Sequence, residues 1–180
     1  MRKLLLVAAV LMAMSSFADN RNVSTRRYDQ ARTGWNPHEH VLTTKSFKPG
    51  KFVKRWTRTV DGLAYGQPLY AANLDVPGLG SKNVLFLATM QNEVVAVDVD
   101  ASPSAPNPFL WKRNLGPAVP DPIISGVCGC TNSESTHYGI MGTPVIDDRT
   151  GTLYCVAKKW DGAVQSFWLH GLDITTGAER

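Results

Sequence analysis

A module that occurs twice limits how this chain can fold more than any other feature. The clearer copy opens Gly142-Thr143-Pro144-Val145-Ile146-Asp147, turns through Thr150-Gly151-Thr152, and continues as the apolar run Leu153-Tyr154-Cys155-Val156-Ala157. A polar tip holding Asp161-Gly162 leads into Phe167-Trp168-Leu169-His170-Gly171-Leu172-Asp173 and then Thr175-Thr176-Gly177. Short apolar runs punctuated by Gly, Asp and Thr read as strands of an antiparallel meander. Asp-Gly between two such runs signals a hairpin, because Gly takes positive φ without steric penalty. In the other copy, Gly66-Gln67-Pro68-Leu69-Tyr70 matches Gly142 to Ile146, and Val84 to Thr89 matches Leu153 to Ala157. The turn Met90-Gln91-Asn92-Glu93 then leads into Val94 to Asp98, matching Leu169 to Asp173. This copy continues into a fourth strand, Leu110 to Gly116, whereas the later copy reads as three strands with Arg180 following them. The spacing therefore predicts a four-stranded antiparallel sheet over 66–116 and a three-stranded sheet over 142–177, packed face to face. A third trace, Trp56 to Gly62, looks like Trp111 to Gly116. Repetition of four-strand units marks a radial or solenoid all-β architecture.

Gly-x-Pro, an apolar strand, an Asp-Gly-type turn and Leu172-Asp173-Ile174-Thr175-Thr176-Gly177 leading toward a Trp strand resemble the pyrroloquinoline-quinone-like β-propeller repeat. The resemblance covers residues 56 to 180. It implies an all-β chain holding about two four-stranded blades of a larger propeller of roughly seven or eight. In that family the repeat's Trp docks one blade on the next, and Trp111 stands at that position. The repeat is structural and its hosts have many functions, so it implies fold before function.

The chain begins with positive Met1-Arg2-Lys3, followed by the apolar run Leu4 to Met14 and then Ser15-Ser16-Phe17-Ala18. That is the pattern of a secretory signal peptide over residues 1–18, cleaved after Ala18. The run is shorter than the ~20 residues a bilayer span requires, and no later stretch is long and apolar enough for a second span. Export to a secreted, periplasmic or cell-envelope location is the expectation. The chain has 19 Lys+Arg against 15 Asp+Glu; losing Arg2 and Lys3 leaves 17 against 15, a balance of +2. So small a charge argues against nucleic acid as a partner. The basic clusters Arg21, Arg26, Arg27, Arg32 and Lys45, Lys48, Lys51, Lys54, Arg55, Arg58 read as solvated loops or edges. Residues 19–55 are expected to form an extended arm whose aromatics pack on the sheets, with Phe52 to Val60 as an outer strand.

Between the copies, Pro103, Pro106, Pro108, Pro117, Pro120 and Pro122 argue against helix or central strand, apart from the Trp111 strand. Residues 117–141 then form a Pro- and Cys-containing loop. Long loops in compact domains are usually functional, so this is where the sequence points for a site. Cys128-Gly129-Cys130 lies there, and disulfides are the default in exported proteins. With Cys155 the count is three, so a thiol is left over or pairs elsewhere. A disulfide involving Cys128 or Cys130 is expected; joining the two would close a small, strained ring. Cys155, mid-strand, reads as a packed free thiol. A metal site of Cys128, Cys130 and His137 lacks a fourth ligand. His38-Glu39-His40 could set two imidazoles on one side of a strand, but no third ligand stands near them. Asp75 to Lys82 reads as a hairpin tip, since no helix follows to complete a phosphate cradle.

Quinone-dependent dehydrogenases of the resembled fold place adjacent cysteines under the quinone, with Glu, Asn and Asp on calcium. Gly129 separates Cys128 from Cys130, and Asn132 and Glu134 do not match that calcium set in order or spacing. No catalytic, cofactor-binding or metal residue is therefore carried over. The reading is an exported propeller segment acting as a non-catalytic binding module for a protein or glycan. The alternative is the N-terminal fragment of a pyrroloquinoline-quinone- and calcium-dependent dehydrogenase. Lacking a fourth strand, the later copy is expected to leave Phe167, Trp168 and Leu172 uncovered and to self-associate.

Overall fold

The computed structural model describes residues 22–50, 53–54, 56–129 and 135–180. The expected signal segment 1–18 lies outside the described residues. The first copy forms four antiparallel strands in sequential order: β1 (Leu69–Val76), β2 (Gly80–Ala88), β3 (Glu93–Asp98) and β4 (Phe109–Asn114). Val94 to Val97 are all buried, as an inner strand covered on both faces requires, whereas Lys112, Arg113 and Asn114 of β4 expose a charged edge. The β1–β2 hairpin turns at Pro77–Leu79 with Gly78 at φ +76°, so the candidate phosphate cradle is a hairpin tip.

Next come β5 (Val119–Pro120), the helix α1 (Asp121–Cys128) and β6 (His137–Tyr138), with β5 and β6 paired. The helix corrects the expectation of no helix in this Pro-rich connection. Pro122 falls in its first turn, where the missing N–H would be unsatisfied anyway. Gly129, left-handed at φ +65°, then stops it.

The second copy forms β7 (Val145–Asp147), β8 (Thr152–Trp160) and β9 (Gln165–Asp173), a three-stranded antiparallel sheet. The two sheets stack through one core: Leu69, Val84, Phe86, Val94 and Ala96 from the first meet Ile146, Leu153, Cys155, Ala157 and Leu172 from the second. Leu172 is fully buried there, which corrects the expectation that it lacks cover; Phe167 and Trp168 are exposed. The repeat extends to backbone pairing. Val97 opposes Phe109, and Asp98 N–H donates to Pro108 O at 2.9 Å. In the second copy Leu172 opposes Glu179, and Asp173 N–H donates to Ala178 O at 2.8 Å. Residues 178–180 thus make the first pairings of a fourth strand, one more than the three expected of this copy.

Residues 22–25 clasp the first strands of both sheets. Val23 and Tyr70 exchange backbone hydrogen bonds at 2.8 and 3.0 Å, and Ile146 N–H donates to Ser24 O at 2.7 Å. The rest of the arm departs from expectation. Trp35 and Phe47 are 66% and 57% exposed, because residues 29–47 close on their own side-chain-to-backbone turns and not on apolar cover. The proposed outer strand is also absent among its described residues: Val53, Lys54 and 56–60 carry no strand assignment. Arg58 instead donates to the Ser102 and Pro103 carbonyls, tying this segment to the loop before β4.

Candidate functional site

The β8–β9 hairpin builds a surface that combines aromatic and charged groups. Its register sets Trp160 opposite Gln165 and Lys159 opposite Ser166. At the tip, Asp161 Oδ1 accepts the backbone N–H groups of Val164 and Ala163 at 2.7 and 2.8 Å. These bonds hold the Asp161 carboxyl below the ordinary carboxylate range. Gly162, at φ +101°, supplies the turn conformation that a side chain would resist. Below the tip, the Trp168 indole N–H donates to Ser166 Oγ at 3.0 Å, and Lys159 Nζ lies 5.1 Å from the Trp168 ring centroid. The chain leaving β4 closes the other side: Trp160 N–H donates to Pro117 O at 3.0 Å, and Ala118 bridges Lys159. Pro117, Lys159, Trp160, Asp161, Ser166 and Trp168 together line a groove of about 360 Å³. Trp168 remains 55% exposed in it. An aromatic face ringed by a hydroxyl, a carboxylate and an ammonium suits a ligand with one apolar side and a polar rim.

A second cleft, of about 320 Å³, lies where the arm passes β1 and is lined by Asn36, His38 to Leu42, and Tyr70. His38, Glu39 and His40 do come together in it. Glu39 Oε1, however, accepts the N–H groups of Val41 and Leu42, each at 2.7 Å, so it caps a turn. Among the described residues no three His, Cys, Asp or Glu side chains converge to hold a metal ion.

The loop that the sequence singled out contributes less. His137 Nδ1 lies 3.2 Å from Gln91 Nε2 and 2.9 Å from Thr136 Oγ1, fastening β6 to the β2–β3 turn. The Cys128 side chain and Cys130 lie outside the described residues, as do Asn132, Glu134 and any disulfide of Cys128 or Cys130. Cys155 is a buried free thiol opposite His170, whose Nδ1 lies 2.6 Å from Glu179 Oε1. The trio has the residue types of a base-activated nucleophile. Burial, and secondarily the Glu179 charge, push the Cys155 thiol up to about 12, so it is a packing group. Trp111 lines neither of the two clefts just described. It spans the two sheets, its indole N–H donating to Ile174 O at 3.0 Å.

Sequence reasoning missed the groove. Its available signal was the Asp161-Gly162 hairpin, which brings Trp160 and Trp168 onto the same short stem. No family model, no curated protein and no solved structure matches the chain.

Proposed function

We propose that this chain is an exported propeller segment of the pyrroloquinoline-quinone-like repeat type that works by binding, and that the Trp160–Trp168 groove takes a glycan. The stacked four- and three-stranded sheets with matching register support the blade reading. The observation that carries the function is the half-exposed Trp168 ring bordered by Ser166, Asp161 and Lys159. A pyranose presents C–H groups to an indole face and hydroxyls to its rim, which is the chemistry this border offers.

The binding reading uses neither a quinone nor calcium. The binding reading expects no dye-linked alcohol or sugar oxidation when both are added, and turnover above a protein-free blank would favour the dehydrogenase reading. Export is checked by N-terminal sequencing of the secreted protein, which should begin at Asp19. The groove is tested by titrating oligosaccharides against tryptophan fluorescence. A saturable change that Trp168→Ala abolishes supports the proposal. Silence across neutral, acidic and amino sugars, or binding that survives Trp168→Ala, overturns it.

A further inference from the structure

Charge is divided unevenly along this chain. Residues 19–58 carry ten Lys and Arg against three acids, a net +7, whereas residues 59–180 carry seven against twelve, a net −5. The small total thus hides a cationic arm on an anionic body. Two of the arm's acids cap turns of its own: Asp29 accepts the Thr33 N–H and hydroxyl, and Glu39 accepts the Val41 and Leu42 N–H groups. Among the described residues, every ion pair lies outside the arm. Arg26, Arg27, Arg32, Lys45 and Lys48 are all exposed.

The same arm turns its apolar side chains outward. From Ala31 to Gly50 every residue but Asn36 is exposed, and Trp35, Val41, Leu42 and Phe47 are each more than half so. Local bonds hold this arrangement. Gly34 N–H donates to Arg27 O at 2.9 Å, the Tyr28 hydroxyl to Asn36 Oδ1 at 3.1 Å, and the Ser46 hydroxyl to Val41 O at 2.6 Å. Cations and apolar groups are thus presented together by one folded excursion.

A further stacked sheet is a poor match for this surface. Among the described residues no Lys, Arg, Asp or Glu is buried, and a sheet laid over the arm would have to bury several cations. A succession of turns also offers no strand face to stack on. A bilayer surface meets both features at once, with phosphate headgroups for the cations and the acyl boundary just beneath for the apolar side chains. We propose that the arm docks the protein peripherally on an anionic lipid surface. The body's net negative charge is repelled by such a surface, so contact is made arm first. The choice of a lipid surface rests on the export reading and not on the glycan groove. An N-terminus found uncut would refute export, while the vesicle experiment decides the arm by itself.

Co-sedimentation with vesicles tests this, comparing two parts phosphatidylcholine to one of phosphatidylglycerol with phosphatidylcholine alone. Binding is expected on the anionic vesicles only, and should fall when salt is raised until charges are screened within about 3 Å. Arg26→Gln, Lys45→Gln and Lys48→Gln together should weaken it on the order of a hundredfold, and Trp35→Ser, at unchanged charge, roughly tenfold. Lys112→Gln with Arg113→Gln, on the exposed β4 edge, is the control and should leave binding unchanged. All variants share one N-terminus, so differences between them report the substituted side chains, and near-UV circular dichroism checks the fold. Equal binding to both vesicles, or none to either, overturns the proposal. So does binding that the triple substitution leaves intact, or that the control weakens as much. Binding unchanged by Trp35→Ser overturns it as well; heparin or duplex DNA held as tightly in that case would assign the arm to a soluble polyanion.

Discussion

The Trp111 indole donates to the Ile174 carbonyl across the sheet interface, and Gly177 lies directly beneath the ring. A Cβ built on Gly177 would come within 2.6 Å of Trp111 Cε3. Gly177 also has φ +71°, which side chains resist. The turn after β9 and the Trp of β4 are thus fitted to each other, and the Trp111 ring packs 6.0 Å from that of Phe86.

Gly177→Ala should therefore destabilise the chain by about 2–4 kcal/mol, combining left-handed strain with a displaced indole. Trp111→Phe keeps most of the apolar contact but leaves the Ile174 carbonyl without its donor, for about 1–3 kcal/mol. Urea denaturation of both variants checks the ranking. A Gly177→Ala variant as stable as the parent would mean that the turn does not bear on the ring.

Asn92 offers a second junction. It is fully buried with φ +58°, and its Nδ2 donates to Gly116 O at 3.2 Å and to Lys158 O at 2.8 Å, joining the β2–β3 turn to the second sheet. Asn92→Asp replaces the donor with a charge aimed at two carbonyls and should cost more than 3 kcal/mol at neutral pH. Asn92→Gly, which keeps the backbone freedom but loses both bonds, should fall between that and the parent. Thermal melts of the pair would order them, and equal stabilities would show that φ alone matters at this position.

Much of this framework was legible in the residues. Asp161-Gly162, Thr150-Gly151 and the Met90–Glu93 turn separate apolar runs at strand length, so the hairpins are explicit in the local pattern. Which faces of the strands are covered was less legible. Leu172 and Leu169 look alike in sequence, yet one is fully buried and the other 70% exposed, because burial depends on which face meets the first sheet. Proline is ambiguous in sequence: Pro122 argues against a helix interior, yet it stands where a helix can begin. The described residues of 52–60 are tied to the loop before β4 by Arg58 and not to a strand, a contact no local pattern announces. The groove escaped notice because it joins hairpin residues to Pro117, a contact set by the stacking of the sheets and not by local pattern.

The thiol of Cys155 should be chemically silent in the folded protein. Raised to about 12, it is protonated at pH 8, and at 4% exposure it is shielded from reagents. Iodoacetamide at pH 8 followed by peptide mass mapping should leave Cys155 unmodified in the native chain and label it fully in denaturant. Mapping distinguishes it from Cys128 and Cys130. Rapid native labelling would show that β8 opens readily or that the thiol is accessible.

Acid should act on the turn that follows β9. Burial alone would raise the Asp173 carboxyl, but hydrogen bonds from the Thr175 hydroxyl, the Arg180 guanidinium and the Thr175 and Thr176 backbone outweigh it, holding the group well below the ordinary range. Because the folded value is depressed, the carboxylate's contribution is fully present above the unfolded value, about 3.9, and is lost as pH falls through the folded one. Asp173→Asn removes the charge while keeping the shape. At pH 7 it should be less stable than the parent by about 1–3 kcal/mol, the range for hydrogen bonds to a charged group. The gap should narrow progressively below about pH 4 as the carboxylate of the parent's unfolded state takes up its proton while the folded one still resists it. Urea midpoints measured at pH 7 and pH 3 check both parts. A gap that stays constant with pH would show that the Asn side chain fails for reasons of shape, and that the charge on Asp173 contributes nothing to holding the turn.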